Sequence, residues 1–243
     1  MLTIFRKEIN LFFSSLIGYI ALVIFLVITG LFLWVFPETN LLDYGYASLE
    51  QLFLLAPWVF MLLIPAISMR SLAEEVNLGT FEILATKPVT DWQIVLGKYF
   101  AALFLAIFAI LPTFIYFYTA YQLGSPVGNI DTGAAIGSYL GLVFLAAAFC
   151  AMGIFASALT ANQIVAFLLA VFLCFIFYQG FDYFSALNLF YGKADYFIQQ
   201  LGINAHYNAI SRGVADTRDI LYFISLSGCF LYLTKMVLES RKW

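Results

Sequence analysis

The chain has 243 residues, 64% of them apolar and only 10% charged, and its 11 basic and 14 acidic side chains give a formal net charge of −3. Soluble domains hold roughly 45–50% apolar and about 25% charged residues, so this composition, with a mean hydropathy of +0.97, describes a membrane protein and leaves no room for a sizeable soluble domain. Neither sign of charge forms a block, which excludes nucleic acid as a partner, and Cys150, Cys174 and Cys229 sit in apolar runs without metal-ligand spacing, as small buried hydrophobes.

A bilayer crossing takes about 20 apolar residues. Residues 1–15 do not supply one, because Leu2, Phe5, Ile9, Phe12 and Phe13 share a helical face opposite Arg6, Lys7, Asn10 and Ser14, with Ile4 and Leu11 off the stripe. The pattern predicts a short amphipathic helix in the headgroup layer. The first span follows at Leu16–Phe36 and reads as a retained anchor, since Pro37-Glu38-Thr39 offers no small-residue cleavage site. Five more spans are predicted at Leu52–Met69, Ile94–Tyr118, Ala134–Ser157, Ile164–Gly180 and Ile220–Val237. Ser48-x-x-Gln51, Thr90-x-x-Gln93 and Thr160-x-x-Gln163 have capping-box spacing, and Pro57, Pro65 and Pro112 predict kinks in the second and third spans. The fourth span carries Gly137-x-x-x-Gly141 and Gly153-x-x-x-Ser157, small-residue seams that let backbones approach. Packing within one subunit is favoured for them over a dimer seam.

Six spans place Arg6, Lys7, Arg70, Lys87, Lys98, Lys235, Arg241 and Lys242 on one side and Lys193, Arg212 and Arg218 on the other. By the positive-inside rule both termini and the loop at 70–93 are cytoplasmic. The segment at 181–218 is then the largest external piece, expected as short helices at the outer interface, and Tyr116, Tyr118 and Tyr121 fit the outer aromatic belt.

Catalysis finds no support. The one histidine, His206, lies in the external segment and reads as an interfacial polar residue, and Gly97-Lys98-Tyr99 lacks both the upstream glycine and the Ser/Thr of a phosphate loop. The chain is expected to be no enzyme, with no catalytic, cofactor-binding or metal site. No span centre holds an ionisable residue, which argues against an ion-coupled carrier. Energy must then arrive through the cytoplasmic loop, whose punctuation predicts two short helices. Gly79 ends the first, Thr80 caps the second with Glu82 near its positive end, and Pro88 stops it, leaving Phe81, Leu84 and Ala85 on display either to the bilayer or to a partner.

Arg70-x-x-x-Glu74, Gly79-Thr80-x-Glu82-x-Leu84, Pro88-Val89-Thr90 and Gly97-Lys98 resemble the cytoplasmic signature of type 2 ABC-transporter permeases. Arg212–Phe223 resembles the approach to that family's sixth helix, and Arg6-Lys7-Glu8 with Phe12–Ser15 resembles its N-terminal interfacial helix, although the family often has proline where Leu16 stands. Pro88–Phe100 and Tyr121–Asp131 are similar, more narrowly, to the F permease subunits of Gld gliding-motility ABC transporters. The resemblance implies an all-α, polytopic protein with six transmembrane helices and an N-terminal interfacial helix, forming one ABC permease domain over 1–243 in a bacterial inner membrane. Its implied partners are a separate ATP-binding subunit, a second permease subunit in a homo- or heterodimer, and lipid. Glu74, Gly79, Thr80, Phe81, Glu82, Leu84 and Pro88 are the implied ATPase-coupling residues. An exporter linked to gliding motility is the reading this favours; the alternatives are a subunit that passes ATP-driven motion to envelope machinery without moving solute and, less favoured, a secondary carrier or intramembrane enzyme.

Overall fold

The structure is a computed structural model and describes residues 1–37, 39–42, 47–80, 88–186, 193–213 and 216–240. All regular elements among the described residues are helices. The chain opens with α1 (Leu2–Ser14) and α2 (Leu16–Trp34), whose Leu2–Ser14 and Gly18–Trp34 stretches meet at 71°. The bend needs no proline. Ser15 adopts extended dihedrals (φ −100°, ψ 131°), its Oγ accepts the Gly18 N–H at 3.2 Å, and a Cβ on Gly18 would stand 2.7 Å from the Phe12 carbonyl oxygen.

Next come α3 (Glu50–Ser68), which passes through Pro57 and Pro65, and α4 (Arg70–Asn77). The third span is α5 (Asp91–Ile110), a tight turn at Leu111–Thr113 and α6 (Phe114–Leu123), the break falling at Pro112, which has no N–H to give the helix. The fourth is α7 (Thr132–Leu159). The fifth is α8 (Gln163–Phe175), widening through a π turn at Ile176–Gly180 into α9 (Phe181–Ser185). Two short helices, α10 (Lys193–Gln199) and α11 (Ile203–Ser211), precede α12 (Thr217–Ser240). Among the described residues five stretches are long and apolar enough to cross a bilayer, or six where the bent α1–α2 pair is counted as one span. This is an all-helical, polytopic membrane fold.

The bundle is organised around α7, which packs on α3, α5, α8, α11 and α12. Its small residues make this possible. A Cβ on Gly153 would lie 2.0 Å from Ser68 Oγ, and one on Gly137 would lie 2.7 Å from the Ile210 carbonyl oxygen. Both small-residue seams therefore face helices of the same chain.

Local signals fare unevenly. Thr90 and Gln93 form the expected reciprocal capping box on α5. At α8 the cap is Asn162, whose Oδ1 accepts the Ile164 N–H at 2.9 Å, while the expected cap Thr160 accepts the Asn162 N–H instead; the asparagine is nearer the first turn and displaces it. Along α1 it is Ile4, outside the expected stripe, that is buried, because it seats on Gly97, and Leu2 is exposed. Cys229 lies exposed on the outer face of α12, unlike Cys150 and Cys174.

One end of the bundle, here the terminal end, gathers α1, α4, the start of α5, the close of α7 and the C-terminal turns of α12, where the Lys235 ammonium lies 5.8 Å from the Trp92 ring centre. At the opposite end α11 is inserted rather than laid on the surface: Ile203, Tyr207 and Ile210 are buried, and the Tyr207 hydroxyl donates to the Phe53 carbonyl at 2.8 Å. His206 is likewise buried. Its Nδ1 lies 2.6 Å from Asp219 Oδ1, its Nε2 lies 2.9 Å from the Gln200 carbonyl oxygen, and its ring stacks on Tyr222.

Candidate functional site

The terminal end is built on a break in one helix. Between α3 and α4 the helix is interrupted at Met69, which keeps helical dihedrals (φ −56°, ψ −33°) so that Glu50–Asn77 runs on as one stretch, and the Leu72 and Ala73 N–H groups meet a side-chain acceptor there. Ser157, from the last turn of α7, supplies it: its Oγ accepts those N–H groups at 2.9 and 3.0 Å and donates to the Met69 carbonyl at 3.0 Å. A helix start left without such acceptors would strand buried donors. Ser68 adds a bond of its own by donating to the Ile64 carbonyl at 2.9 Å, one turn back on α3.

From this pivot α4 turns Ser71, Leu72, Ala73 and Glu75 inward and leaves Asn77 and Leu78 outside. Glu75 reaches Lys98, the one Lys or Arg among the described residues with a fully buried side chain. Three acceptors surround the Lys98 ammonium: Glu8 Oε1 at 2.7 Å, the Ser71 carbonyl at 2.6 Å and Glu75 Oε1 at 3.0 Å. An ammonium has three donors, so this shell answers each of them, the condition under which a buried charge is tolerable. Glu75 Oε1 also takes a hydrogen bond from Lys7 Nζ at 2.6 Å. Burial alone would lower the pKa of Lys7, but its hydrogen bond to Glu75 and the nearby carboxylates outweigh this and hold it above the ordinary lysine value. Four residues from α1, α4 and α5 thus form one ionic knot. Gly97 permits it, since a Cβ there would press on Ile4 at 3.1 Å and keep α1 away from α5. Ring contacts of Phe5 with Phe104 and Phe13 with Phe108 extend the same seam.

Of the residues singled out from the sequence, Glu74 is paired with Arg70 through Nε–Oε2 at 2.9 Å and Nη2–Oε1 at 3.1 Å. Gly79 closes α4 at φ +68°, in the left-handed region glycine favours. The Thr80 side chain turns back to donate to the Glu75 carbonyl at 3.3 Å, and Pro88 is exposed. Phe81, Glu82 and Leu84 lie outside the described residues, as does the body of the second expected short helix. Sequence reasoning missed the ionic knot and the role of Ser157. Glu8 and Lys98 are 90 positions apart, and no periodicity links them. The available signal was chemical: a lysine one residue past a glycine, early in an apolar helix, needs anionic company.

A model of the ABC-2 family of transporter proteins matches residues 2–238, nearly the whole chain. The chain belongs to the ABC-2 transporter family. An ABC-2 permease is the membrane subunit of an ABC transporter, with the ATPase activity in a separate subunit, so an ATP-binding partner follows from membership. A comparison with curated proteins found no match.

Proposed function

We propose that this ABC-2 permease works in a bacterial inner membrane with both termini in the cytoplasm, and that the segment at 70–93 is where a separate ATPase subunit delivers its stroke. The observation that carries this reading is the rigid seating of α4. Ser157 fixes its start to α7 and the Lys98 knot fixes its face to α1 and α5, so a push on the residues beyond Gly79 reaches three elements at once. A flexible loop would absorb such a push. The chain works with a second permease subunit, and export in a gliding-motility apparatus is the finer role, supported by the likeness of Pro88–Phe100 and Tyr121–Asp131 to the Gld permeases.

Phe81 and Leu84 are the proposed anchors in a groove of the ATPase, with Glu82 as a polar contact beside them. Burying two large apolar side chains is worth about 3–6 kcal/mol, enough to dominate an interface. Replacing both with Asp in the co-expressed complex should leave membrane insertion intact and abolish co-purification of the ATPase, since each change removes an anchor and puts a charge in a dry groove. Retained ATPase binding by the inserted double variant would refute the assignment. Orientation has its own check: a reporter after Trp243 should read as cytoplasmic and one near Gly128 as external, and the reverse at both sites would overturn the topology.

A further inference from the structure

A half-enclosed crevice of about 310 Å³ lies between the α1–α2 bend and helices α3, α4 and α5, within the range of about 300–1,000 Å³ typical of small-ligand sites. Its walls change character with depth. At the terminal end they carry Lys7, Arg70 and Lys98 with Glu8, Glu74 and Glu75, and further in they are apolar, formed by Ala21, Ala66, Ala102 and Leu105. From Lys98 to Leu105 the axis of α5 advances about 10 Å at 1.5 Å per residue, from the charged rim into the span. A site polar at the membrane boundary and apolar toward the bilayer interior has the shape of an amphiphile.

The charges narrow the choice. Three cations face three carboxylates, so the formal sum is zero and an anionic headgroup meets no net attraction. One carboxylate is incomplete. Glu75 Oε1 serves both Lys7 and Lys98, but Glu75 Oε2 is buried without a hydrogen-bond partner among the described residues, on a side chain only 10% exposed. A buried carboxylate oxygen calls for a donor, and a cationic one serves best. Beside it, the Lys7 side chain is 49% exposed and spends one of its three donors on Glu75, leaving the others for an acceptor at the rim.

We propose that this crevice binds a membrane phospholipid with a zwitterionic, primary-amine headgroup, a phosphatidylethanolamine. Its ammonium donates to Glu75 Oε2, its phosphate meets Lys7, and one acyl chain follows the wall from Ala66 to Leu105. Phosphatidylcholine is the decisive comparison, because its quaternary ammonium has the same charge but no N–H to give.

The purified chain, in micelles carrying equal amounts of dioleoyl phosphatidylethanolamine, phosphatidylcholine and phosphatidylglycerol, would be read by native mass spectrometry. One charge-assisted hydrogen bond predicts at least about a tenfold preference for the ethanolamine lipid over the choline lipid. Ala66→Leu, which fills the apolar wall and leaves the ionic knot alone, should abolish that preference. Glu75→Gln should reduce it as well, and Ala66→Leu keeps the test decisive if the Gln variant fails to fold. Soluble phosphoethanolamine, which has the headgroup without the chain, should not displace the lipid at equal concentration. Equal retention of all three lipids, an unchanged preference in Ala66→Leu, or displacement by the soluble headgroup would each overturn the proposal. So would expulsion of the lipid by the ATPase subunit, which would make the crevice that partner's seat.

Discussion

Replacing Lys98 with Met is expected to destabilise the protein by about 3–5 kcal/mol, the range found when one partner of a buried ion pair is removed. The Lys98 side chain is fully buried, and the Glu8 and Glu75 side chains are 17% and 10% exposed. Without the ammonium, Glu75 keeps its hydrogen bond from Lys7, whereas Glu8 loses its ion-pair partner in a partly dry seam. The Ser71 carbonyl loses its donor at the same time. The asymmetry supplies a control. Lys98→Met combined with Glu8→Leu removes both charges, and the pair should recover much of the loss, because a matched apolar replacement of a buried pair is often neutral. Thermal unfolding in detergent reads both variants. A single variant within about 0.5 kcal/mol of the parent, the spread of ordinary surface changes, would show that the knot contributes nothing to holding α1, α4 and α5 together.

The parts of this fold legible in the sequence are those decided within a turn or two of the chain. Thr90 and Gln93 are three residues apart and make their box without help from elsewhere. Gly79 and Pro112 act through their own backbone, so a helix end at one and a break at the other follow from residue type. The spans are legible because lipid demands an unbroken apolar run whatever its neighbours do. What escapes is choice among equals. Periodicity marked Phe5, Ile9 and Phe12 on α1, yet the contact with α5 is decided by Gly97, which receives Ile4 and so brings Glu8 to Lys98. Ser157 looked like one more small residue in a seam. Only the approach of the Met69 turn makes its hydroxyl a cap for a different helix. Lys98, read as a unit of basic charge on one side of the membrane, is the centre of the site. Lys98 and Ser157 are polar groups satisfied from far along the chain, which a local pattern cannot register.

Ser157→Ala is the change expected to separate the pivot from the bundle while leaving the apolar core untouched. The side chain is fully buried, and removing one oxygen strands the Leu72 and Ala73 N–H groups and the Met69 carbonyl together. An unsatisfied buried donor or acceptor costs about 1–3 kcal/mol, so leaving all three unpaired is not tolerable. The cheaper response is for α4 to shift against α7 until these groups find other partners. Such a shift moves Glu75 relative to Lys98, so the energy lost at the pivot appears at the knot. The unfolding midpoint should fall, and hydrogen exchange at residues 70–77 should rise by about tenfold or more, the equivalent of 1.4 kcal/mol. In the assembled transporter the ATPase should still be captured, because the residues beyond Gly79 are unchanged, but its turnover should no longer respond to the permease. Unaltered exchange across Arg70–Asn77 in Ser157→Ala would show that α4 holds its angle without the serine, and that the stroke is passed on by some other contact.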